Sequence, residues 1–251
     1  MKSSYEKLIK LPSLGLIYDN VPESITIRAI TTKEEKYIYS TKESRNFAIT
    51  KLLNACIVPN EDGFKLDAGS LYAGDFLYVL MQLRILSYGG EYHQFAVCPF
   101  CNHAENIPVN LEDLSQIVIS EEKFAKYSKV ELGEDTLGVK LFSTKEVNAL
   151  LERVEKIASK SKNADISILE RQYLRAGAVS DINGEKVTLE KALKYFENSI
   201  IRNAAKFDSY QNNLGNTFGI EEFFDVTCSG CGQFFETPFT SHNEFFHPRF
   251  D

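Results

Sequence analysis

The chain has 251 residues, of which 43% are hydrophobic, so it is long enough to bury a substantial core in one large domain or two small ones. Its formal net charge of −7 and sequence pI near 5.3 argue against a protein whose main task is to grip a phosphate backbone, because that task usually requires a basic face. No segment reaches the roughly 20 apolar residues that a membrane-spanning helix needs.

The N-terminal region predicts an arm, a strand and the start of a helix. Residues 1–23 include Leu11-Pro12-Ser13-Leu14-Gly15, where proline, serine and glycine oppose a helix, so we expect an extended arm with a turn. Ser24–Ala29 alternates apolar and polar residues and predicts a half-buried strand. In Thr31-Thr32-Lys33-Glu34-Glu35 either threonine can cap a helix, and the glutamate three residues later can close a capping box, so a short helix is predicted to begin there.

Two longer helices complete the region 24–90. The first is expected near Arg45–Cys56 and the second over Gly74–Ser87, which is apolar almost all round. That pattern is typical of a buried core helix. The core contacts predicted for the first helix are Phe47, Ile49, Leu52 and Leu53.

Residues 119–219 show mainly helical patterns. Ser143 and Glu146 form a second capping box, which opens a helix with one apolar face, and Asp165–Ala176 predicts another helix. The residues predicted to face inward are Val147, Leu150, Leu151, Val154 and Ile157 in the first of these helices, and Ile168, Leu169, Tyr173 and Leu174 in the second.

A hairpin and a third helix follow within the same region. Asn183-Gly184 is the signature of a two-residue hairpin turn, and Thr188 is placed to cap the next helix. The stripe predicted to face inward on that helix comprises Leu189, Ala192, Leu193, Phe196, Ile200 and Ile201. We therefore expect residues 119–219 to form a mainly helical domain that is inserted into the rest of the chain.

Four of the five cysteines form two Cys-x-x-Cys pairs, Cys98 with Cys101 and Cys228 with Cys231. The residues before each pair are β-formers, so each pair predicts a strand, a tight turn and a returning strand. Two such pairs supply the complete thiolate set of a tetrahedral zinc site. Residues 91–118 and 220–251 are thus predicted to be the two halves of one zinc ribbon, separated in sequence by about 125 residues.

The two segments also align with each other beyond their cysteines. When Cys98 is placed on Cys228, Asn102 falls on Gly232, and these two residue types best tolerate the left-handed conformation that a knuckle turn needs. The same register places Pro108 on Pro238 and Val109 on Phe239. The fold expected is therefore α+β: a discontinuous four-cysteine ribbon of two β-hairpin knuckles, an inserted helical domain, and an N-terminal arm, strand and helices.

A zinc ion held by four thiolates has no open position for water or substrate, so the predicted Zn²⁺ is structural. Two alternatives stay open, namely two independent reduced pairs and a redox dithiol protein, although neither flank has the βαβ context of a thioredoxin. His103 is a lesser candidate for one ligand, and Cys56 is expected to be a small core residue. Residues 1–10 lack the apolar run of a secretory signal, so we expect a reducing cytoplasm without disulfides.

The sequence gives no sign of an active site. It contains no phosphate-binding glycine loop, no nucleophile elbow and no zinc-protease motif, so we expect a protein that is not an enzyme and has no small-molecule substrate. A zinc-ribbon nucleic-acid or transcription accessory module is the alternative function. Acidic residues around the knuckles, with almost no lysine or arginine, make nucleic acid an unfavourable partner.

Phenylalanine is concentrated near the C-terminus. The segment 245–251 contains Phe245, Phe246 and Phe250, which a local hairpin cannot bury completely. Two interpretations stay open: the segment folds back on its own domain, or it offers aromatic anchors to a neighbouring subunit.

The order of these motifs resembles the baseplate hub and hub-assembly proteins of T-even-type contractile-tailed phages. The residues that carry the resemblance are Leu11, Pro12, Ser13, Gly15 and Tyr18 in the arm; Thr31, Glu34 and Glu35 after the strand; Asp75, Leu80, Leu83, Arg84, Ser87, Tyr88 and Gly89 in and after the core helix; and the two cysteine pairs. Cys228-Ser229-Gly230-Cys231 departs from a Cys-Pro-x-Cys pattern without removing a ligand.

The resemblance implies a role in virion assembly. It implies either a small structural subunit of the hub or a chaperone that helps the hub to assemble, with other hub or tail proteins as partners and with no membrane partner. The protein would work in the host cytoplasm during assembly and, as a subunit, in the tail baseplate of the virion.

Overall fold

The computed structural model describes residues 5–39, 45–160, 165–221, 223–239 and 243–246. Both helices and strands occur, which confirms the α+β class. The strands are β1 (Glu6–Lys10), β2 (Ser24–Arg28), β3 (Ile57–Val58), β4 (Glu91–Val97), β5 (Ala104–Asn110), β6 (Gln116–Ile117), β7 (Lys129–Leu132), β8 (Asp135–Val139), β9 (Val179–Ile182), β10 (Glu185–Lys186), β11 (Gly219–Ile220), β12 (Phe223–Thr227) and β13 (Phe234–Pro238). The α-helices are α1 (Glu35–Ile38), α2 (Arg45–Cys56), α3 (Ala73–Tyr88), α4 (Glu121–Tyr127), α5 (Thr144–Ala158), α6 (Ile166–Gly177), α7 (Leu189–Glu197) and α8 (Ile201–Gly215).

The chain divides into two compact units. Unit 1 comprises Met1–Leu66, Leu77–Ile117 and Ile220–Asp251, and unit 2 comprises Asp67–Phe76 and Val118–Gly219. The boundaries predicted for the arm, the N-terminal region, the ribbon halves and the insertion stay predictions.

Unit 1 contains an antiparallel sheet in the order β1-β2-β3. Ile9 lies opposite Ile25, and Ile27 lies opposite Ile57. All four side chains are buried, because the alternation of β2 places its isoleucines on one face. The predicted strand is thus confirmed, and part of the expected arm, Glu6–Lys10, forms β1 of this sheet.

The Leu-Pro-Ser-x-Gly segment of the arm forms a buried turn. Leu11 and Ser13 are fully buried, and the backbone N–H of Leu14 donates to the carbonyl of Leu11 at 3.0 Å. Gly15 has a φ of 73°, and a Cβ atom there would collide with the carbonyl oxygen of Val21. Glycine is therefore required at position 15 by both conformation and space.

The first capping box forms as predicted. Glu34 accepts hydrogen bonds from the backbone N–H and the hydroxyl of Thr31, and a short 3-10 helix that leads into α1 begins at Thr32. The guanidinium of Arg28 also donates to Glu34, at 3.0 Å. These bonds, of which the one from Arg28 has the largest effect, lower the pKa of the buried Glu34 to about 2.

The predicted helices near 45–56 and 74–87 are confirmed as α2 and α3. Leu52 and Leu53 are buried as predicted, but Phe47 is not a core residue, because 46% of it is exposed. The buried face of α2 passes through Ala48, and Phe47 lies beside it with the ammonium of Lys51 4.3 Å from its ring centre.

Arg84 connects α3 to the first ribbon strand. Its guanidinium is buried and donates to the carbonyl of Gly89 at 2.6 Å and to that of Glu91 at 3.0 Å. These bonds satisfy backbone acceptors at the end of the helix and at the start of β4. They fix the direction in which the chain enters the first cysteine hairpin.

Unit 2 contains an antiparallel sheet in the order β10-β9-β8-β7, together with α4 to α8. Gly133 (φ 71°) lies in the turn between β7 and β8, and Asn183 and Gly184 (φ 53° and 82°) form the predicted turn between β9 and β10. The β7–β8 hairpin is a feature that the sequence reasoning missed. The buried core of the unit comprises Val130, Leu132, Leu137, Val139, Ala176, Ala178, Val179, Ala192, Phe207 and Leu214.

The second capping box forms at Ser143, and three predicted helices are confirmed as α5, α6 and α7. The predicted inward faces of α6 and α7 were wrong in part. Ile168 is exposed, because the buried side of α6 passes through Arg175 and Ala176. Ile200 and Ile201 do not continue the stripe of α7, which ends at Glu197, and 81% of Ile201 is exposed at the start of α8.

Candidate metal centre

The first cysteine pair lies at the end of the β4–β5 hairpin. The ladder closes with Val97 opposite Ala104. Beyond it the backbone N–H of Cys98 donates to the carbonyl of His103 at 2.8 Å, and the N–H of Asn102 donates to the carbonyl of Cys98 at 2.9 Å. Asn102 has a φ of 58°, so it supplies the left-handed residue that reverses the chain.

The second pair repeats this geometry in the β12–β13 hairpin. Its ladder closes with Thr227 opposite Phe234. The N–H of Cys228 donates to the carbonyl of Gln233 at 3.0 Å, the N–H of Gly232 donates to the carbonyl of Cys228 at 2.9 Å, and Gly232 has a φ of 73°. The alignment predicted from the sequence therefore describes two equivalent knuckles.

The inner faces of the two hairpins share one small core. Its buried members are Ala96, Cys98, Val226, Cys228 and Phe235. The first cysteine of each pair is buried in this core, whereas Cys101 and Cys231 are exposed. Residues of the two hairpins thus pack against each other around the sulfur atoms.

All four Sγ atoms lie within 4.8 Å of one another. The Sγ of Cys98 is 3.7 Å from that of Cys231, and the Sγ of Cys101 is 3.6 Å from that of Cys228. These distances are far longer than a disulfide bond, and all four cysteines are free thiols. A tetrahedral ion with metal–sulfur bonds of about 2.3 Å requires sulfurs separated by about 3.8 Å.

Backbone amides point at the sulfurs. Burial raises the pKa of the Cys98 thiol, but the N–H groups of Cys101 and Phe100 donate to its sulfur and outweigh this, so the pKa is lowered to about 7. The N–H of His103 likewise lowers the pKa of Cys101, but loss of hydration and the neighbouring sulfurs, Cys231 among them, raise it to about 12.

The donor set fits a divalent soft cation. Each thiolate that forms disfavours ionisation of the next one, so four such close thiols do not all ionise alone. A divalent cation would neutralise part of this negative charge and so favour ionisation of all four thiols. Four thiolates that accept hydrogen bonds from backbone amides are the usual ligands of structural zinc. Cys98, Cys101, Cys228 and Cys231 are the residues that would hold the ion.

A polar link connects the two knuckles outside the sulfur cluster. The hydroxyl of Ser229 donates to Glu105 at 2.7 Å, and the backbone N–H of Ser229 donates to the same carboxylate at 3.1 Å. The hydroxyl is also 3.1 Å from Nε2 of His103, whose ring lies against Gly230. His103 is therefore a neighbour of the site, and the sulfur cluster does not include it.

Comparison with known protein families identifies the family of this chain. The family described as T4 bacteriophage base plate protein matches residues 4–247. The chain belongs to this family. No curated protein and no solved structure matches it. As a base plate protein of phage tails, it is expected to interact with other tail proteins.

The C-terminal aromatics of this base plate protein pack on the base of the first hairpin. The ring centre of Phe245 lies 5.6 Å from that of Tyr92 and 5.9 Å from that of Phe239, in edge-to-face geometry. Phe245 and Phe246 are buried. This part of the C-terminal segment folds back on its own unit, and residues 247–251 lie outside the described residues.

The fifth cysteine of the base plate protein, Cys56, lies in the core and away from the sulfur cluster. Cys56 is fully buried, as predicted for a core residue, and burial raises its pKa to about 11. The Ser229–Glu105 link is a contact that the sequence reasoning missed, because the two residues are separated by 124 positions. No helix in the described ranges has the length and apolar character needed to cross a bilayer.

Proposed function

We propose that this protein acts in the baseplate hub, as a hub subunit or as a hub-assembly chaperone, and that a structural Zn²⁺ at Cys98, Cys101, Cys228 and Cys231 stabilises it. The observation that carries the proposal is the convergence of four sulfurs from two chain segments in a member of the base plate family. The zinc ties together hairpins that are far apart in sequence.

The buried core that the two hairpins share is small. Five buried residues form its centre, and two of them are cysteines. Structural zinc contributes roughly 10 to 16 kcal/mol in small peptides at neutral pH, which is comparable with the stability of a whole domain. A core this small does not hold two hairpins together without such a contribution.

The ligand set supports a role in which the metal is not catalytic. Four thiolates fill the coordination sphere of zinc, so no position stays open for a water nucleophile or a substrate. The family is described as T4 bacteriophage base plate protein, which supports a structural role. Binding of other tail proteins is thus the activity that we propose.

The hub assignment is supported by the motif order and by what the motifs do. Leu11, Ser13 and Gly15 build a buried turn, and Arg84 directs the chain into the first knuckle. Residues that carry the resemblance to hub proteins thus have structural roles in this chain, which supports a fold shared with those proteins. The acidic surroundings of the knuckles disfavour the nucleic-acid alternative.

The test is to follow a tagged copy of the protein through tail assembly. Tagged protein is expressed during infection, complexes are captured at intermediate times, and mature tails are purified and quantified by mass spectrometry. A hub subunit is expected in both the complexes and the mature tails, and a chaperone only in the complexes with hub proteins. Capture of nucleic acid or RNA polymerase without tail proteins would overturn the proposal.

A further inference from the structure

The outer face of the β12–β13 hairpin has no covering element among the described residues. It comprises Phe223, Asp225, Thr227, Phe234, Glu236 and Pro238, and we refer to it as the outer face of the second hairpin. Phe223 and Phe234 are 56% and 59% exposed. Two phenyl rings are thus exposed to solvent on a two-stranded hairpin, a feature typical of interaction surfaces.

Two carboxylates lie directly opposite each other on this face. Asp225 pairs in register with Glu236, between the pairs Phe223–Pro238 and Thr227–Phe234. Neither carboxylate forms an ion pair with any residue that the structure describes. Like charges at directly opposite positions of an antiparallel pair destabilise the hairpin, so the fold does not explain their presence.

The first hairpin shows that a ribbon half does not need these charges. A shift of 130 positions, from Cys98 to Cys228, places Phe95 at the position of Asp225 and Asn106 at that of Glu236. Phe95 and Asn106 are themselves opposite each other on the outer face of the first hairpin, and neither is charged. The acidic pair is therefore a property of one half alone.

The segments that form the two hairpins and their immediate flanks are acidic. Residues 91–117 and 220–239 contain no lysine or arginine, although the chain has 28 of them. The acidic residues of these segments are Glu91, Glu105, Glu112, Asp113, Glu221, Glu222, Asp225 and Glu236. Such a field repels phosphate backbones and attracts basic protein surfaces.

We propose that the outer face of the second hairpin is the docking surface for a basic, arginine-bearing segment of another protein. A guanidinium of that segment would bind the paired carboxylates of Asp225 and Glu236 and stack on Phe223 or Phe234. Guanidinium groups pair with carboxylates in planar geometry and also favour aromatic faces, so they match both features of this surface. The proposal deepens the proposed function, because it states the chemistry of one tail-protein partner.

The test uses the full-length, zinc-loaded protein and three probes: a 12-residue peptide of alternating arginine and alanine, the corresponding glutamate–alanine peptide, and a single-stranded oligonucleotide. Binding is measured by titration at two salt concentrations, and backbone amide shifts locate the site. We expect only the arginine peptide to bind, with shifts centred on residues 223–238 and with weaker binding at high salt.

Three double variants, of which one is a control, separate docking from folding. Asp225→Asn with Glu236→Gln is expected to weaken peptide binding at least tenfold, while zinc content stays unchanged and the melting temperature does not fall. The matched control, Glu91→Gln with Glu112→Gln, removes the same number of charges from the first half and is expected to change binding less than threefold. Phe223→Ser with Phe234→Ser is expected to weaken binding without changing the net charge.

Equal loss of binding in the test and control variants, shifts centred elsewhere, or binding of the oligonucleotide in place of the peptide would overturn the proposal. Failure of the hub assignment can be distinguished from failure of the docking surface. Wild-type protein that never associates with tail proteins during infection contradicts the proposed function, whereas wild-type protein that associates with tail proteins but does not bind the arginine peptide contradicts only the docking surface.

Discussion

Ser229 and Glu105 link the two cysteine hairpins across 124 positions of sequence, through a hydroxyl–carboxylate hydrogen bond of 2.7 Å. Ser229 is one of the two residues between Cys228 and Cys231, and Glu105 follows the other knuckle. Hydrogen bonds next to a metal site orient its ligands, so we expect this link to slow the release of a bound ion.

Ser229→Ala is expected to speed the release of zinc to a chelator by about tenfold, because contacts of this kind typically change metal affinity 10-fold to 100-fold. The measurement is the absorbance of a zinc-sensitive dye under excess chelator. Glu112→Gln serves as control, since Glu112 is exposed and no hydrogen bond or ion pair among the described residues joins its side chain to the second knuckle. A rate unchanged by Ser229→Ala would show that the link has no effect on the metal site.

Replacement of one proposed zinc ligand is expected to unfold the ribbon. Replacement of the core cysteine, Cys56, is expected to leave zinc binding unchanged. Cys228→Ser removes a buried sulfur, so zinc content should fall below one half per chain and the thermal transition should broaden or move lower. Cys56→Ala, which removes the fully buried fifth cysteine, should keep full zinc content and lose only packing stability. Equal zinc loss in both variants would contradict the assigned ligand set.

Stability should depend on pH through Glu34. Hydrogen bonding by Arg28 and Thr31 lowers the pKa of Glu34 to about 2, below its ordinary value of 4.5. A lowered folded-state pKa stabilises the protein above the unfolded-state pKa, and this stabilisation disappears as the pH falls from about 4.5 towards 2. The full effect is on the order of 3 kcal/mol.

Urea unfolding at several pH values between 6 and 2 tests this expectation. Glu34→Gln should be less stable than the wild type at pH 6, and the difference should shrink as the pH approaches 2. Glu35→Gln is the neighbouring control, because Glu35 is exposed. A difference between Glu34→Gln and the wild type that stays constant with pH would contradict the role given to the ionised carboxylate.

Phe245 should stabilise unit 1 through the aromatic cluster. It is 1% exposed and its ring contacts those of Tyr92, Phe239 and Phe246. Phe245→Ala is expected to cost about 3 to 5 kcal/mol in the free energy of unfolding. Phe100→Ala, at an exposed position in the first knuckle, should change it by no more than about 0.5 kcal/mol. Similar melting temperatures for both variants would contradict the burial of the C-terminal segment.

The sequence predicted the features that depend on local chemistry. The two knuckles could be aligned because Asn102 and Gly232 meet the same demand for a left-handed turn. The capping boxes at Thr31 and Ser143 formed because each needs only a hydroxyl and a glutamate three residues later. Such signals are contained within a few residues, so they do not depend on the rest of the fold.

The features that it missed have short or ambiguous local signals. The strand β7 has only four residues, too few for alternation to distinguish it from a loop. Ile200 and Ile201 match the apolar spacing of α7, but the chain ends that helix at Glu197 and begins another at Ile201. Asn198 is the C-cap of α7, and its side-chain amide donates to the carbonyl of Lys194 at 2.7 Å, a local bond that competes with continuation of the helix.

Zinc content measured together with thiol reactivity tests the central claim most directly. The protein is purified without added metal, zinc is released with acid and quantified, and the cysteines are titrated with a thiol reagent before and after chelation. We predict close to one zinc per chain and four thiols that react only after the chelator is added. Little zinc, or free reaction of those four thiols from the start, would contradict a metal-bound ribbon.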